Sequence, residues 1–161
     1  MLTQRISFKN FKLIKKKSPL VKKKLLALVK EKNEIIKSLT KDYKNNFNHK
    51  TLKKFKNSLE YRVIGMGGSS LGAQAIYDFL NFKIKKKFSF VDNLKKNYSK
   101  KNKNYTNLVI SKSGNTIETI VNANLLIKKK DRNIFITENK KNYLHILAER
   151  LKADIIYHNN Y

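Results

Sequence analysis

From Tyr61 onward, short apolar runs rich in β-branched residues alternate with apolar patterns of helical period, and this alternation constrains the fold more than any other feature of the chain. The runs fall at residues 62–64, 88–91, 108–110, 134–136 and 155–157, and the helical patterns at 71–80, 117–127 and 144–151. Continuous apolar runs suit strands buried on both faces, and helices between them supply the cover. The pattern predicts an α/β fold, a parallel sheet flanked by helices in three layers. Right-handed crossovers would then collect the carboxyl ends of the strands along one sheet edge.

Two turns stand at that edge. The first is Gly65-Met66-Gly67-Gly68-Ser69-Ser70-Leu71-Gly72, and the second is Ser111-Lys112-Ser113-Gly114-Asn115-Thr116-Ile117-Glu118-Thr119. Each leads from a strand into a helix, where unpaired backbone N–H groups face outward and hold phosphate readily. A Walker A loop needs Lys and Ser/Thr after its second glycine, whereas Gly72 precedes Ala73 and Gln74, which excludes that nucleotide site. The dinucleotide fingerprint comes nearer, with Gly65-x-Gly67 and Asp92 at the end of the second strand, but Ser70 occupies the third glycine position.

The glycines of the first turn allow close backbone approach, and Ser69 can donate to a ligand oxygen at the head of a helix. The competing reading is a plain helix cap by Ser69 or Ser70. In the second turn Ser111, Ser113 and Thr116 bring three hydroxyls close together, Gly114 permits a tight bend, and Lys112 adds a point charge. Asn115 and Glu118 have capping-box spacing for the helix that follows. A cup of hydroxyls and N–H groups satisfies the several acceptor oxygens of a phosphate without an arginine. A purely structural turn would need one capping side chain, not this many.

Ahead of the alternating region the chain is helical in pattern. Phe8, Phe11 and Ile14 suggest a short helix within residues 1–17, and Ser18-Pro19 reads as an N-cap followed by proline at the first helical position. From there one helix is expected to about Leu39, with Val21, Leu25, Leu28, Ile35 and Leu39 on one stripe that needs a covering partner. Residues 42–50 read as a polar loop, and Leu52, Phe55 and Leu59 as a shorter helix. The expected organisation is a helical arm over 1–60 and an α/β domain over 61–161.

With 161 residues the chain can bury one substantial core. It has no cysteine, which excludes disulfides and thiolate metal sites, and no apolar run of the roughly 18 residues that a membrane span requires. No secretory signal is recognisable, and a reducing cytoplasm is the expected compartment. The formal charge of +26 invites a polyanion partner. Almost all of it is lysine, in runs such as Lys22-Lys23-Lys24 and Lys128-Lys129-Lys130, alongside abundant Asn, Ile, Phe and Tyr, which A- and T-rich codons encode. Arginine, the better partner for phosphates and bases, is confined to Arg5, Arg62, Arg132 and Arg150. Lysines on solvated faces are the favoured reading, with neither nucleic acid nor membrane as partner.

The two turns, taken together and in this order, resemble those of the sugar isomerase (SIS) family of phosphosugar-binding domains, and within it the aldose–ketose isomerases of hexose phosphates. The resemblance rests on Gly65 to Gly72, Ser111 to Thr119 and Phe90-Val91-Asp92-Asn93, and it covers residues 61–157. It implies a flavodoxin-like three-layer fold, a hexose phosphate ligand, no cofactor and a homodimeric full-length protein. It also implies that Gly68, Ser69, Ser111, Lys112, Ser113 and Thr116 hold the substrate's phosphate and adjacent sugar atoms. Glu118 falls on an acid that supports a ring-opening histidine in some members. The Gly-Gly-Arg segment, the glutamate base after it and the later histidine and lysine of the family have no counterpart here, and His49, His145 and His158 match none of the family's catalytic positions. The expectation is therefore an amino-terminal portion that binds the phosphate and lacks turnover. The alternative is a non-catalytic phosphosugar-sensing module, although residues 2–50 show no clear helix-turn-helix with arginines for base contact.

Overall fold

The computed structural model describes residues 18–31, 33–38, 40–41, 43–44, 46–94 and 104–158. The described residues form two compact units, one up to Tyr43 and the other from Lys44 onward. The expected helix within 1–17 lies outside the described residues.

The first unit holds helices α1 (Pro19–Val29) and α2 (Glu34–Ser38). Ser18 caps α1 by accepting a hydrogen bond from the Val21 N–H, with Pro19 at the first position. The single helix expected to Leu39 is broken. Lys30 closes α1, and the side chain of Asn33 accepts from the Ile36 N–H to start a new helix. Asparagine competes with the backbone in this way, so it favours a helix start over a helix interior. α1 buries none of its side chains.

The second unit contains α3 (His49–Lys54), β1 (Glu60–Gly65), α4 (Gly68–Leu80), β2 (Lys87–Val91), β3 (Thr106–Ile110), α5 (Ile117–Leu126), β4 (Arg132–Glu138), α6 (Tyr143–Leu151) and β5 (Asp154–His158). Asn48 caps α3 inside the stretch expected as loop, so the short helix begins and ends earlier than its apolar spacing suggests. The five strands form one sheet in the order β2-β1-β3-β4-β5, every pairing parallel. All five expected strands are present.

Register explains where the core sits. Ile64, Val91, Val109, Phe135 and Ile155 are successive partners across the sheet and form one row on one face. Ala123 of α5 and Leu144 and Ala148 of α6 cover that row, and Phe135, Val109, Ile64 and Leu144 are fully buried. Side chains alternate between faces, so Phe88 and Phe90 point to the other side. There they meet Tyr77 of α4, and Phe88 stacks on Tyr61 at 4.8 Å between ring centroids. Helices therefore cover both faces. The outer side of α4 leaves Leu71, Ile76 and Phe79 exposed.

The lysine runs within the described residues are mostly exposed. Arg62 serves the fold, donating to the Leu126 carbonyl at the end of α5 and lying 4.0 Å from the centre of the Tyr105 ring. No helix among the described residues is long and apolar enough to cross a membrane. Phe135→Ala should lower stability by about 3–5 kcal/mol through transfer and cavity costs, whereas Ile76→Ala at an exposed helical position should change it by less than about 0.5 kcal/mol. Urea denaturation followed by circular dichroism distinguishes the two.

Candidate functional site

β1 lies between β2 and β3, so the chain leaves β1 in one direction and, after β3, turns in the other. That reversal of strand order opens a crevice beyond the carboxyl ends of β1 and β3, the usual ligand position in an open parallel sheet. Both turns lie at this crevice, because Gly65 and Ile110 are register partners and each is the last residue of its strand. They also approach closely. A Cβ at Gly65 would lie 3.0 Å from the Ile110 carbonyl oxygen and 3.2 Å from the Ser69 Cβ, a tight fit that a glycine relieves where the first turn folds back over the strand end.

Gly67 is the N-cap of α4, with φ of 53° and ψ of −122°, a conformation open essentially to glycine alone. It offers no side-chain cap, and neither does Ser69. The N–H of Ser69 bonds to the Met66 carbonyl, while its hydroxyl, on a half-buried residue, has no partner among the described residues. Ser70 is buried and donates back to the Gly67 carbonyl. Gly68 is exposed at the first position of the helix.

In the second turn Ser111 is buried at 2% exposure. Its hydroxyl accepts from the Gly114 N–H at 3.2 Å and shares a hydrogen bond of 3.0 Å with the Thr116 hydroxyl. Ser113 is exposed and accepts from the Asn115 N–H, and Lys112 is exposed beside it. The capping box expected from Asn115 and Glu118 does not form. The N-cap of α5 is Thr116, and its hydroxyl faces Ser111 and makes no cap bond. Asn115 instead accepts from the Tyr143 N–H at 3.0 Å, across to the start of α6. The polar stretch before α6 supplies a better use for that amide than its own helix does.

The helices divide sharply in how they begin. Side chains cap α1, α2, α3 and α6, through Ser18, Asn33, Asn48 and Asn142. α4 and α5, which flank the crevice, have no side-chain cap. The N–H groups of Gly68, Ile117 and Glu118 have no acceptor among the described residues. Donors left without acceptors at two adjacent helix heads suit an oxyanion. α6 also begins at this edge, but its first N–H groups are taken by Asn115, the Gly114 carbonyl and Asn142.

Three residues of consequence stand outside the expectations drawn from sequence. Asn142 is buried, caps α6 and donates to the Thr137 hydroxyl at 3.0 Å. Thr137 is buried at the end of β4 and donates to the Lys112 carbonyl. Asn122 on the buried side of α5 donates to the Asn93 carbonyl just past β2. An asparagine directly before a helical pattern is a readable cap signal, whereas the other two depend on partners distant in sequence.

The fold and the crevice thus define an open parallel α/β protein with a donor-rich site where its strand order reverses. That architecture is shared with a hypothetical protein of Thermus thermophilus, at a TM-score of 0.54 and 20% identity over 66% of this chain and 29% of that one. No protein-family profile matches the chain. In sequence it is similar to glucose-6-phosphate isomerases: 40% identical to that of Borrelia garinii subsp. bavariensis over 101 residues, or 55% of this chain and 18% of that protein. The isomerase of Mycoplasmoides gallisepticum is 35% identical over 112 residues, 58% of this chain and 26% of its own length, and that of Acholeplasma laidlawii is 39% identical over 97 residues, 48% and 23%. The chain therefore spans only about a fifth to a quarter of the curated relatives it matches.

Gly114 has a φ of 68°, and a Cβ there would collide with the buried Asn142 side chain. Gly67→Ala meets no atom and should lose only about 1–3 kcal/mol to backbone strain, while Gly114→Ala should lose more, because overpacking adds to strain. Thermal unfolding of the two variants beside the parent checks the order.

Proposed function

We propose that this chain holds the phosphate end of a hexose phosphate for an aldose–ketose isomerase that interconverts glucose 6-phosphate and fructose 6-phosphate. The observation that carries the reading is the pair of uncapped helix heads at one crevice, with the hydroxyls of Ser69, Ser113 and Thr116 on the turns that lead into them. A phosphate monoester carries a charge of about −1.5 to −2 at neutral pH and presents three strong acceptor oxygens. In this reading Ser69, Ser113 and Thr116 donate to those oxygens, Gly68 lets the backbone approach, and Lys112 supplies charge. Ser111, turned inward on Thr116, acts by orienting that hydroxyl. Sequence similarity to glucose-6-phosphate isomerases supports the hexose phosphate as ligand.

In such a reaction the sugar ring opens, and a carboxylate moves a proton between C2 and C1 through a cis-enediol. The phosphate lies far from those carbons, so its contacts contribute by converting binding energy into alignment. The proton carrier must stand within hydrogen-bond reach of C1 and C2 with a suitable pKa. No residue of this chain is assigned that role, and Glu118 is assigned at most the support of a histidine. The reading takes the protein as cytoplasmic, cofactor-free and homodimeric in its full-length form.

Calorimetric titration of the 161-residue chain with glucose 6-phosphate tests this. Binding is expected, rising as pH passes about 6 and the monoester loses its second proton. Ser113→Ala and Thr116→Ala should each weaken it by about three- to tenfold, one hydrogen bond's worth, with an unchanged circular dichroism spectrum. Equal affinity for glucose and glucose 6-phosphate would overturn the phosphate site. No conversion to fructose 6-phosphate is expected, and measurable turnover would overturn the division of roles.

A further inference from the structure

We infer that Thr137 and Asn142 are positioning residues that fix the Lys112–Ser113 peptide so that the Ser113 N–H faces the crevice as an anion donor. The inference rests on the phosphate site proposed above.

The Lys112 carbonyl accepts two hydrogen bonds from the end of β4, one from the Glu138 N–H at 3.0 Å and one from the Thr137 hydroxyl at 3.4 Å. The Thr137 hydroxyl has a single proton, and its direction is decided by what else it meets. Asn142 donates an amide N–H to the same oxygen at 3.0 Å, which leaves that proton for Lys112. The relay runs Asn142 to Thr137 to Lys112, and both Asn142 and Thr137 are shielded from water, at 6% and 0% exposure.

A trans peptide is planar, with its C=O and N–H on opposite sides. The Lys112 carbonyl is drawn toward β4, so the N–H of Ser113 points away from it. β3 lies between β1 and β4, and away from β4 is toward β1 and the first turn. The Ser113 N–H has no acceptor among the described residues. The neighbouring groups of the loop are tied down independently: the Leu144 N–H bonds to the Gly114 carbonyl, and the Tyr143 N–H to Asn115. The peptide between Lys112 and Ser113 is thus held jointly by the Glu138 N–H and the Thr137 hydroxyl, and the hydroxyl is the part of that hold a side-chain substitution removes.

The test uses the full 161-residue chain and two probes, inorganic phosphate and glucose 6-phosphate, at a temperature where circular dichroism shows every variant folded. Thr137→Val keeps the shape and removes the hydroxyl, and both probes should bind about three- to tenfold more weakly. Thr137→Ser keeps the hydroxyl and should restore the parent affinity even where its melting temperature falls. Asn142→Ser keeps an oxygen to cap α6 but loses the amide donor, and should weaken both probes as Thr137→Val does; it carries the test if the valine variant does not fold. Parent-like affinity in Thr137→Val, equal loss in Thr137→Val and Thr137→Ser, or a loss seen with glucose 6-phosphate alone each overturns the positioning role while leaving the phosphate site standing. Failure of the parent chain to bind either probe overturns the site and this inference together.

Discussion

The parallel ladder of β1 with both β2 and β3 is the constraint on which the rest depends. It fixes Gly65 beside Ile110 and brings two turns, far apart along the chain, to one edge. It also decides the composition of the interior. A strand with neighbours on both sides and helices above and below must be apolar on both faces, as Val63 and Ile64 illustrate with their near-complete burial. The row from Val91 to Ile155 is then a consequence of register, and the small residues Ala123 and Ala148 let α5 and α6 lie close upon it.

The helix starts carry the functional information. Backbone donors at the head of a helix must find acceptors, and most helices here find them in their own side chains. The two that do not are adjacent and open into the same crevice. α6 is the informative contrast, because it starts at the same edge yet is supplied by the second turn and by its own cap. The turn gives the Gly114 carbonyl and the Asn115 side-chain oxygen to α6, while the Ser113 N–H has no acceptor among the described residues.

Much of the fold is legible in the sequence because it is written locally. Runs such as Leu108-Val109-Ile110 can bury both faces only as inner strands, and Ser18-Pro19 marks a helix start with two consecutive residues. The break between α1 and α2 is hidden because Ile35 continues the apolar spacing of Val21, Leu25 and Leu28, while the deciding event is one hydrogen bond from the Ile36 N–H to Asn33. Asn115 misleads for a related reason: its spacing to Glu118 fits a local cap, but a non-local N–H at Tyr143 competes successfully for its oxygen. The candidate residues are legible as a set of hydroxyls at strand ends. Their division into an inward Ser111 and an outward Ser113 is not, since it depends on Gly114, Thr116 and burial beneath the turn.

The ties between the second turn and α6 have a temporal consequence. Ser111 to Thr116 leave the ribosome well before Tyr143 and Leu144, which clamp the Gly114 carbonyl and the Asn115 amide. Until those later residues emerge and dock, the turn has its own bonds among Ser111, Gly114 and Thr116 but lacks the clamp from the sixth helix. The final shape of the turn is accordingly completed only when the sixth helix settles behind a loop made long before it.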